Sequence, residues 1–503
     1  PRQLSSQLRQ AMRPINPQSK SFQELGRFLS LDIEIDGSFS GVTSNTAYIE
    51  QGDLFIALPG AKSHGAAFAS DAAEKGATAI LTDAQGAKVA RSSLPIIICE
   101  DPRNLAADLA SWFYGRPFSS MESIGITGTN GKTTTASLLF QLWRLQQRSV
   151  GMIGTTGIAI DSELYPATFT TPEGTELQAI AATMRERCLT HLVMEVSSHA
   201  LSQKRMVGSK FKVAAFTNLT QDHLDFHGTM EKYFEAKALL FTQEYSESAL
   251  INIDDPWGVK LLDIAATPTQ TVSRENKAAD WHYTAVHPIT HGYEVSIRGT
   301  GGILIEGRIP LVGLHNLDNA LMAVALGVTT GLDPLAIGED LSRLLGAPGR
   351  LERVDLGQKF LALVDYAHTP DAVIRSLRAV REITAGRVIA VLGCGGDRDA
   401  TKRPLMGNAL VEGCDLAIFT SDNPRSEDPA QILAAMSNGR TSDEKVVLEI
   451  DRRGAIAIAV SEASAGDTVI ILGKGHETGQ EIAGVNYPFD DRLELARAIE
   501  TLS

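Results

Sequence analysis

The chain has 503 residues, of which 43% are hydrophobic and 21% are charged, and its formal net charge is −14. This composition is typical of a globular protein, and the length predicts about three domains. An acidic chain without a basic tract argues against a nucleic-acid-binding surface. No apolar run approaches the ~18 residues that a membrane-spanning helix needs. No signal peptide is visible, so we expect a cytoplasmic protein without membrane insertion.

The first part of the chain, residues 1–101, predicts a small α/β domain. A turn and strand are expected over 52–58, a helix over 66–75, and strands over 77–81 and 95–99. Alternation of strand and helix over such short distances is typical of α/β architecture.

The middle and last parts continue this alternation. Residues 102–347 predict a central α/β domain with strands at 149–153, 191–196, 213–217 and 249–253, a helix at 229–241, a β-rich stretch over 280–312 and a helix at 316–327. Residues 348–503 predict a Rossmann-like domain with strands at 360–364, 387–392, 416–420, 446–449 and 468–472 and a helix at 371–382. We therefore expect an α/β protein of three domains.

A glycine-rich stretch joins the first predicted strand of the central domain to a helix. Residues 123–135 read S-I-G-I-T-G-T-N-G-K-T-T-T. Glycines let backbone amides close around an anion, and the helix amino end adds partial positive charge. Lys132 could reach the β- and γ-phosphates, and Thr133 or Thr134 could bind Mg²⁺. The spacing departs from G-x-x-x-x-G-K-[ST] because Ile126 stands at the first glycine, so a turn without a ligand is the alternative.

Polar side chains follow the next predicted strands. Glu195 ends one strand, where it could hold a metal or simply cap the strand. The stretch T-N-L-T-Q-D-H-L-D-F-H over 217–227 concentrates histidine and aspartate after another, which favours a ligand role for His223. Lys237 lies on the following helix, and composition alone favours a solvated surface lysine there.

Further motifs lie just past predicted strands or at the start of a helix. Asn316 and Asn319 are one helical turn apart and could read a base edge or cap the helix. D-Y-A-H-T-P at 365–370, G-C-G-G-D-R-D at 393–399, D-N-P-R at 422–425 and G-K-G-H-E at 473–477 share one rim of the last predicted sheet.

Arg425, in the third of these motifs, invites two interpretations. Its guanidinium could grip a carboxylate through two parallel hydrogen bonds. Alternatively, it pairs only with Glu427 or Asp428.

Together these motifs resemble those of the Mur ligases, ATP-dependent enzymes that form amide bonds in peptidoglycan assembly. The resemblance covers essentially residues 42–492. It rests on G-T-N-G-K-T-T at 128–134, M-E-V-S-S-H at 194–199, T-N-L-T-Q-D-H-L-D at 217–225, E-A-K at 235–237, D-Y-A-H-T-P at 365–370 and G-K-G-H-E at 473–477. G-C-G-G-D-R-D and D-N-P-R resemble the members that add the third peptide residue, and specifically those that add meso-diaminopimelate rather than lysine.

The resemblance implies a division of labour among three domains. Residues 1–101 would bind the UDP end of the nucleotide substrate, residues 102–347 would form a P-loop ATPase-type parallel-sheet domain, and residues 348–503 would bind the incoming amino acid. It implies a monomer that acts on the small molecules UDP-N-acetylmuramoyl-L-alanyl-D-glutamate, meso-diaminopimelate and ATP, with Mg²⁺ and an acyl-phosphate intermediate.

The resemblance also implies roles for individual residues. The implied catalytic residues are Lys132, Glu195, His223 and Lys237. The implied Mg²⁺ ligands are Thr133, Glu195, His223 and Lys237, the last as a carbamate formed with CO₂. The implied ATP-binding residues are Gly128, Thr129, Asn130, Gly131, Lys132, Thr133, Thr134, Asn316, Asn319, Arg350 and Asp365. The implied contacts to the UDP-muramoyl-dipeptide are Ser44, Thr46, Ala61, Lys62, Ser63, Thr170, Thr171, Ser197, Gln203 and Arg205. The implied diaminopimelate contacts are Arg398, Asp422, Asn423, Pro424, Arg425, Gly473 and Glu477.

One departure and three alternatives accompany this interpretation. Many family members carry Asp-Ser-Arg where this chain has Asn45-Thr46-Ala47, so the detailed uridine contacts differ. The alternatives are a ligase for another third amino acid, a ligase of the folylpolyglutamate-synthetase type, and a non-catalytic nucleotide-binding protein.

Overall fold

The computed structural model describes residues 13–16, 18–60, 63–289, 292–438 and 443–502. The chain divides into two compact units. The first holds the described residues up to 285 together with 296–307 and 318–340, and the second holds those of 286–295, 308–317 and 341–503. The expected domain limits at 101 and 347 stay a prediction.

The first unit opens with a short strand pair, β1 (Lys20–Ser21) and β2 (Ser38–Phe39), on either side of helix α1 (Phe22–Leu29). A parallel sheet follows, whose successive neighbours are β3 (Gly41–Thr43), β4 (Asp53–Ile56), β5 (Ala79–Thr82) and β6 (Ile96–Ile98). Helices α2 (Ala69–Glu74) and α3 (Ala84–Val89) connect the last three strands. The expected α/β alternation is confirmed.

Polar side chains set the starts of two helices in this part. The hydroxyl of Ser21 accepts the Glu24 amide at 3.2 Å, and the Glu24 carboxylate accepts the Ser21 amide at 2.8 Å, so α1 begins with a capping box. Asp101 accepts the Asn104 amide at 3.0 Å and precedes Pro102, which suits the first helical position.

A larger sheet fills the rest of the first unit and continues to β17. Its strands are β7 (Glu122–Thr127), β8 (Val150–Gly154), β9 (Gly157–Ile160), β10 (Glu163–Tyr165), β11 (His191–Glu195), β12 (Phe211–Phe216), β13 (Ser246–Asn252), β14 (Thr269–Ser273), β15 (Trp281–Ile289), β16 (Gly292–Arg298) and β17 (Leu304–Ile309). Their order in the sheet is β10-β9-β8-β11-β7-β12-β13-β14-β15-β16-β17.

Helices accompany these strands in the chain. They are α4 (Pro102–Phe113), α5 (Lys132–Leu145), α6 (Gly174–Glu186), α7 (Ser198–Ser202), α8 (Leu224–His227), α9 (Met230–Ala238), α10 (Pro256–Ile264), α11 (Leu314–Thr329) and α12 (Pro334–Asp340). None of the helices in the described residues has the length and apolarity that crossing a bilayer requires.

The register of the central strands brings their carboxyl ends together. Strands β11 and β12 both pair in parallel with β7, with Glu195 opposite Ile126 and Phe216 opposite Thr127. Since ligands bind beyond the carboxyl ends of parallel strands, the loops after β7, β11 and β12 form one candidate site.

The second unit contains a sheet of order β18-β19-β23-β20-β21-β22. Its strands are β18 (Glu352–Arg353), β19 (Leu361–Asp365), β20 (Val388–Cys394), β21 (Leu416–Ser421), β22 (Val446–Leu448) and β23 (Thr468–Leu472), and a hairpin of β24 (Gly479–Ile482) and β25 (Val485–Pro488) follows. One cluster of buried residues includes side chains of α13 (Pro370–Ile383), α14 (Lys402–Gly413) and α15 (Pro429–Ser437). Another includes those of α16 (Arg452–Ser461) and α17 (Asp491–Glu500). Helices therefore cover both faces of a mainly parallel sheet, as predicted.

A buried ion pair joins the two helices of the second cluster to the sheet. Arg452 and Asp491 are both fully buried, and the guanidinium binds the carboxylate through Nε and Nη2, each at 2.7 Å. The Nη1 and Nη2 atoms also donate to the carbonyl oxygens of Ser421 at 3.3 Å and Leu472 at 2.9 Å. Arg452 thus connects the ends of β21 and β23, which are not neighbours in the sheet.

We expect Arg452→Met to destabilise the second unit by about 3–5 kcal/mol, because it leaves the Asp491 carboxylate buried without a partner. The measurement is urea unfolding followed by circular dichroism. The double variant Arg452→Met/Asp491→Leu should recover most of the loss, since it buries no unpaired charge. A double variant as unstable as the single one would contradict this account.

Candidate active site

The predicted phosphate loop joins the carboxyl end of β7 to the amino end of α5. Gly131 has a φ of +86°, and a Cβ atom there would overlap Oδ1 of Asn319, so only glycine fits. The Lys132 Nζ donates to the carbonyl oxygens of Gly128 and Thr129, each at 2.9 Å. The lysine is therefore already held over the loop that would receive phosphate oxygens.

Asn218, which the sequence reasoning did not single out, fixes the shape of this loop. Its Oδ1 accepts the Asn130 amide at 2.9 Å, and its Nδ2 donates to the Asn130 carbonyl at 3.1 Å. Its own carbonyl accepts the Thr129 amide at 2.8 Å. These bonds tie the loop after β12 to the phosphate loop, and the amino end of α5 is what presents amides to a phosphate. The sequence could have indicated Asn218, because it follows Thr217 in the polar stretch at the end of a predicted strand.

Glu195 lies fully buried at the end of β11, with one carboxylate oxygen on the loop helix. Its Oε2 accepts from the Thr133 hydroxyl at 2.9 Å and from the Thr155 hydroxyl at 3.2 Å. Its Oε1 accepts the Thr155 amide at 2.8 Å. The glycine-rich stretch alone left Thr133 and Thr134 equivalent, whereas the family resemblance implied Thr133, and the structure puts Thr133 beside Glu195.

Lys237 is buried on α9 with only 2% of its surface exposed. The surface-lysine alternative is therefore wrong. Its Nζ donates to the Gly128 carbonyl at 2.8 Å and lies 4.7 Å from the centre of the Tyr233 ring. Burial, and secondarily the positive charge of Lys132, lowers the pKa of Lys237 well below its ordinary value. A neutral amine beside the phosphate loop is a nucleophile.

Three histidines cluster beside this lysine. The His199 ring lies 4.8 Å from the ring centre of His223 and 5.5 Å from that of His227. His223 has a φ of +52° and lies 3.5 Å from an Asp222 oxygen. Burial, together with nearby positive charge, lowers the pKa of His227 to about 4. The cluster therefore offers neutral imidazoles, the form that binds metals.

The oxygen atoms of Thr133 and Glu195 are of the kind that binds Mg²⁺. Mg²⁺ prefers hard oxygen ligands and is usually held by one or two carboxylates together with substrate phosphates. The Thr133 hydroxyl and Glu195 carboxylate provide such oxygens beside the phosphate loop. Over the described ranges, no three His, Cys, Asp or Glu side chains are arranged to hold a metal on their own. These donors fit Mg²⁺ that arrives with ATP, with Lys237 needing a carboxylate before it can join them.

Three of the residues expected at the muramoyl-dipeptide, Thr170, Thr171 and Ser197, connect to the end of β11. The Thr171 hydroxyl donates to the Glu195 carbonyl at 2.9 Å and accepts the Ser197 amide at 3.0 Å. The Thr170 hydroxyl lies 3.1 Å from that of Thr155. The expected dipeptide contacts are therefore hydrogen-bonded to Glu195, next to the predicted phosphate loop.

Arg205 is already paired with a carboxylate that the sequence reasoning missed. Its guanidinium binds Glu173 at 2.9 Å, the Gln203 side chain at 2.6 Å and the Thr171 carbonyl at 3.0 Å. Arg103 binds the other Glu173 oxygen at 3.1 Å. Glu173 directly follows T-T-P, and this position was the available signal.

The predicted uridine contacts are only partly described. Ser44 lines the same cavity as Gln203 and Arg205, and its hydroxyl lies 2.9 Å from that of Thr175. Thr46 begins a short 3₁₀ helix, and its carbonyl accepts from Lys75 at 3.0 Å. Ser63 is exposed, and Ala61 and Lys62 lie outside the described residues.

The remaining nucleotide residues divide between the two units. Asn319, in the first unit, contacts the Thr135 hydroxyl at 3.4 Å. In the second unit, Asn316 donates to the Val312 carbonyl at 2.7 Å, and the Arg350 guanidinium lies 4.6 Å from the Tyr366 ring centre. Base reading by the two asparagines stays a prediction.

Asp365, in the second unit, is hydrogen-bonded to neighbouring loop and helix residues. Its carboxylate accepts the Leu351 and Ala367 amides at 2.8 and 3.0 Å and the Ser376 hydroxyl at 2.8 Å. These bonds hold the loops around β19 in place.

The residues expected to bind diaminopimelate meet at the carboxyl edge of the second sheet. Asn423 Nδ2 donates to Glu477 Oε2 at 2.9 Å. Gly473 has a φ of +110°, and a Cβ there would lie 2.6 Å from Oδ2 of Asp422. Arg398 is exposed, and its side chain lies next to Gly395, where a Cβ would be 3.7 Å from it. Pro424 follows Asn423 in the same loop.

Arg425 adopts a positive φ of +52° at this edge. Its Nη1 donates to the Gly396 carbonyl at 2.6 Å, and its Nε lies 3.5 Å from Glu481 of the β24–β25 hairpin. The alternative partners are wrong, because Glu427 binds Arg403 at 2.8 Å and Asp428 caps α15. A loose ion pair on Arg425 leaves it able to bind a substrate carboxylate.

Three protein-family models match parts of this chain. The description "Mur ligase family, catalytic domain" matches residues 38–114, "Mur ligase middle domain" matches 126–327, and "Mur ligase, glutamate ligase domain" matches 349–475. A Streptomyces avermitilis protein named UDP-N-acetylmuramoyl-L-alanyl-D-glutamate–2,6-diaminopimelate ligase is 46% identical over 97% of this chain and 98% of its own. The chain belongs to the Mur ligase family.

Other proteins similar to this Mur ligase have the same name or the same fold. A Corynebacterium glutamicum protein of the same name is 45% identical over 89% of both chains. A solved structure of that name has a TM-score of 0.69 at 34% identity, covering 96% of this chain and 99% of its own. A Mycobacterium tuberculosis folylpolyglutamate synthase structure, complexed with ADP and AMPPCP, has a TM-score of 0.60, 20% identity and coverage of 79% and 94%, a likeness of fold alone.

We expect Gly131→Ala to lower kcat/KM for ATP about 100-fold, because moving the loop away from Asn319 misplaces the phosphates. The matched control is Gly331→Ala, whose φ of +85° nearly equals that of Gly131 but which has nothing within 4 Å of an added Cβ. Both variants should lose about 1–2 kcal/mol of stability from backbone strain. Steady-state kinetics and urea unfolding check this, and equal kcat/KM in the two variants would contradict it.

Proposed function

We propose that this Mur ligase joins meso-2,6-diaminopimelate to the D-glutamate of UDP-N-acetylmuramoyl-L-alanyl-D-glutamate, with ATP hydrolysis to ADP and phosphate. The reaction belongs to the synthesis of peptidoglycan precursors. The names of relatives that match almost the whole chain support the substrates. A monomer acting in the cytoplasm, expected from the sequence, is part of this proposal.

The observation that carries the chemistry is the environment of Lys237. A loop that only binds or hydrolyses ATP has no need of a second lysine buried against its Gly128 carbonyl. Among the described residues, no carboxylate pairs with its Nζ, so desolvation favours the neutral amine. A neutral, buried amine can take up CO₂.

Carbamate formation balances without any other reagent. The Nζ lone pair attacks the carbon of CO₂, a nitrogen–carbon bond forms, one C=O electron pair moves to oxygen, and the nitrogen passes a proton to water. The product is a carboxylate on a long side chain. It would join the oxygen donors near Thr133 and Glu195 and the imidazole of His223 as a ligand for Mg²⁺.

Amide formation needs an activated carboxylate. The D-glutamate carboxylate attacks the γ-phosphorus of ATP, ADP leaves, and an acyl phosphate forms. The amine of the amino acid then attacks the acyl carbon, and phosphate leaves from a tetrahedral intermediate. Thr133 and Glu195 would hold Mg²⁺, which would supply neutralising charge for the phosphate oxygens.

The protein's own residues position these reactants. Lys132 and the amides at the start of α5 bind the transferred phosphate and stabilise its charge. Arg205 and Gln203 hold the dipeptide beside Thr171, which is hydrogen-bonded to the strand end that carries Glu195. Positioning of this kind supplies much of the rate enhancement in such reactions.

We expect Lys237→Ala to abolish ligation, because the variant cannot form the carbamate. Added short-chain carboxylates such as acetate should restore a measurable part of the activity. Exposed Lys232 on the same helix provides the control, and Lys232→Ala should keep wild-type activity. The assay is ADP release dependent on both substrates, together with intact-peptide mass spectrometry for one CO₂ on Lys237. A fully active Lys237→Ala enzyme would refute the carbamate role.

We expect ADP release with meso-diaminopimelate and very little with L-lysine, which lacks the distal carboxylate that Arg425 would bind. Arg425→Ala should raise KM for diaminopimelate about 100-fold, since the substrate carboxylate then enters the pocket without its cation. Arg378→Ala, an exposed arginine of the same unit, is the control. Equal turnover of the two amino acids by the wild type would refute this specificity.

A further inference from the structure

Lys474 is fully buried, with 0% of its surface exposed, and among the described residues the other lysine buried to a similar extent is Lys237. It follows β23 in the G-K-G-H-E motif, between Gly473 and Glu477. Neither the sequence nor the proposed mechanism gives it a role. A buried ammonium is costly unless it is paired, so its partners indicate what it does.

The Nζ of Lys474 contacts three side chains that the proposed function assigns to the amino acid. It lies 3.0 Å from Glu477 Oε2, 3.2 Å from Asn423 Oδ1 and 3.9 Å from Asp422 Oδ1. Asn423 also donates to the same Glu477 oxygen at 2.9 Å. One ammonium therefore holds two loops, 422–425 and 473–477, in a single arrangement.

This arrangement leaves acceptor atoms for a ligand. Oε2 of Glu477 is occupied by Lys474 and Asn423, whereas no described residue donates to Oε1, and the side chain is 35% exposed. Asp422 is buried, which raises its pKa, and the positive charge of Lys474 opposes that rise. Lys474 therefore helps to keep two carboxylates ionised, and their joint field attracts a cation.

Arg452 provides a useful contrast in the same unit. It also bridges the ends of β21 and β23, but it binds the Ser421 and Leu472 carbonyls and Asp491, none of which is assigned to the substrate. Arg452 therefore supports the sheet, whereas Lys474 contacts the binding side chains directly.

We propose that Lys474 is a positioning residue for the incoming amino acid: it fixes Asn423, Glu477 and Asp422 so that the two carboxylates receive the ammonium group at the far end of diaminopimelate. The inference rests on the proposed function. The distal carboxylate of the substrate then meets Arg425, and its distal ammonium meets the two carboxylates. The pocket thus offers a cation, Arg425, to the distal carboxylate and two carboxylates to the distal ammonium. Lys474 holds those two carboxylates in place from within the protein.

The test compares wild type, Lys474→Met, Glu477→Gln and the double variant, with Lys445→Met, an exposed lysine of the same unit, as control. ADP release is measured against meso-diaminopimelate, ATP and UDP-muramoyl-dipeptide in turn. We expect Lys474→Met to raise KM for diaminopimelate at least about tenfold, with kcat and the other two KM values changed less than about twofold. The double variant should be no worse than the poorer single variant, because the two residues act as a unit.

Other outcomes separate the possibilities. A wild type without diaminopimelate-dependent ADP release overturns the proposed function itself. An active wild type with unchanged KM in Lys474→Met, equal changes in all three KM values, or additive effects in the double variant overturns the role of Lys474 alone. If Lys474→Met does not fold, Lys474→Gln keeps a neutral donor of similar size. A folded Lys474→Gln variant with wild-type KM for diaminopimelate likewise overturns the role.

Discussion

The carbonyl oxygen of Gly128 accepts hydrogen bonds from two lysines, Lys132 at 2.9 Å and Lys237 at 2.8 Å. Two ammonium groups on one oxygen repel each other, and the buried one gives up its proton more readily. This contact depends on the parallel pairing of β11 and β12 with β7, which brings three loops to one edge. The lysine of the glycine-rich loop and the buried amine of Lys237 therefore share one backbone acceptor.

The two buried lysines show how partners decide what a buried amine does. Lys237 has a carbonyl and an aromatic ring as neighbours, so desolvation dominates and the neutral amine is available for chemistry. Lys474 has two carboxylates and an amide oxygen, so it serves as a fixed counter-charge. In the proposed function, the same residue type supplies a reagent in the first unit and a fixed support for the binding side chains in the second.

Local sequence patterns predicted much of the fold and of the candidate site. The rest depends on contacts between residues that are far apart in the chain. The glycine-rich turn between strand and helix placed the phosphate loop, and strand-end position placed Glu195 next to it. Lys237 looked like a surface residue on composition, yet it lies four positions after buried Tyr233, a spacing that puts both on one helix face. The Arg425–Glu481 contact joins a strand end to a hairpin 56 positions later in the numbering, and no local pattern encodes such a partner.

The ion pairs of Glu173 affect which ligands can bind beside Arg205, where the proposed function puts the dipeptide. Arg205 and Arg103 already share this carboxylate, so one of their two positive charges is offset before any ligand arrives. A simple anion gains little there, because it must compete with an internal group that has already lost its freedom to move. A ligand that also contacts Ser197 and Gln203 can displace or share the carboxylate through its additional bonds. The internal carboxylate therefore lowers the affinity for the abundant small anions of a cell more than the affinity for large ligands that form several bonds.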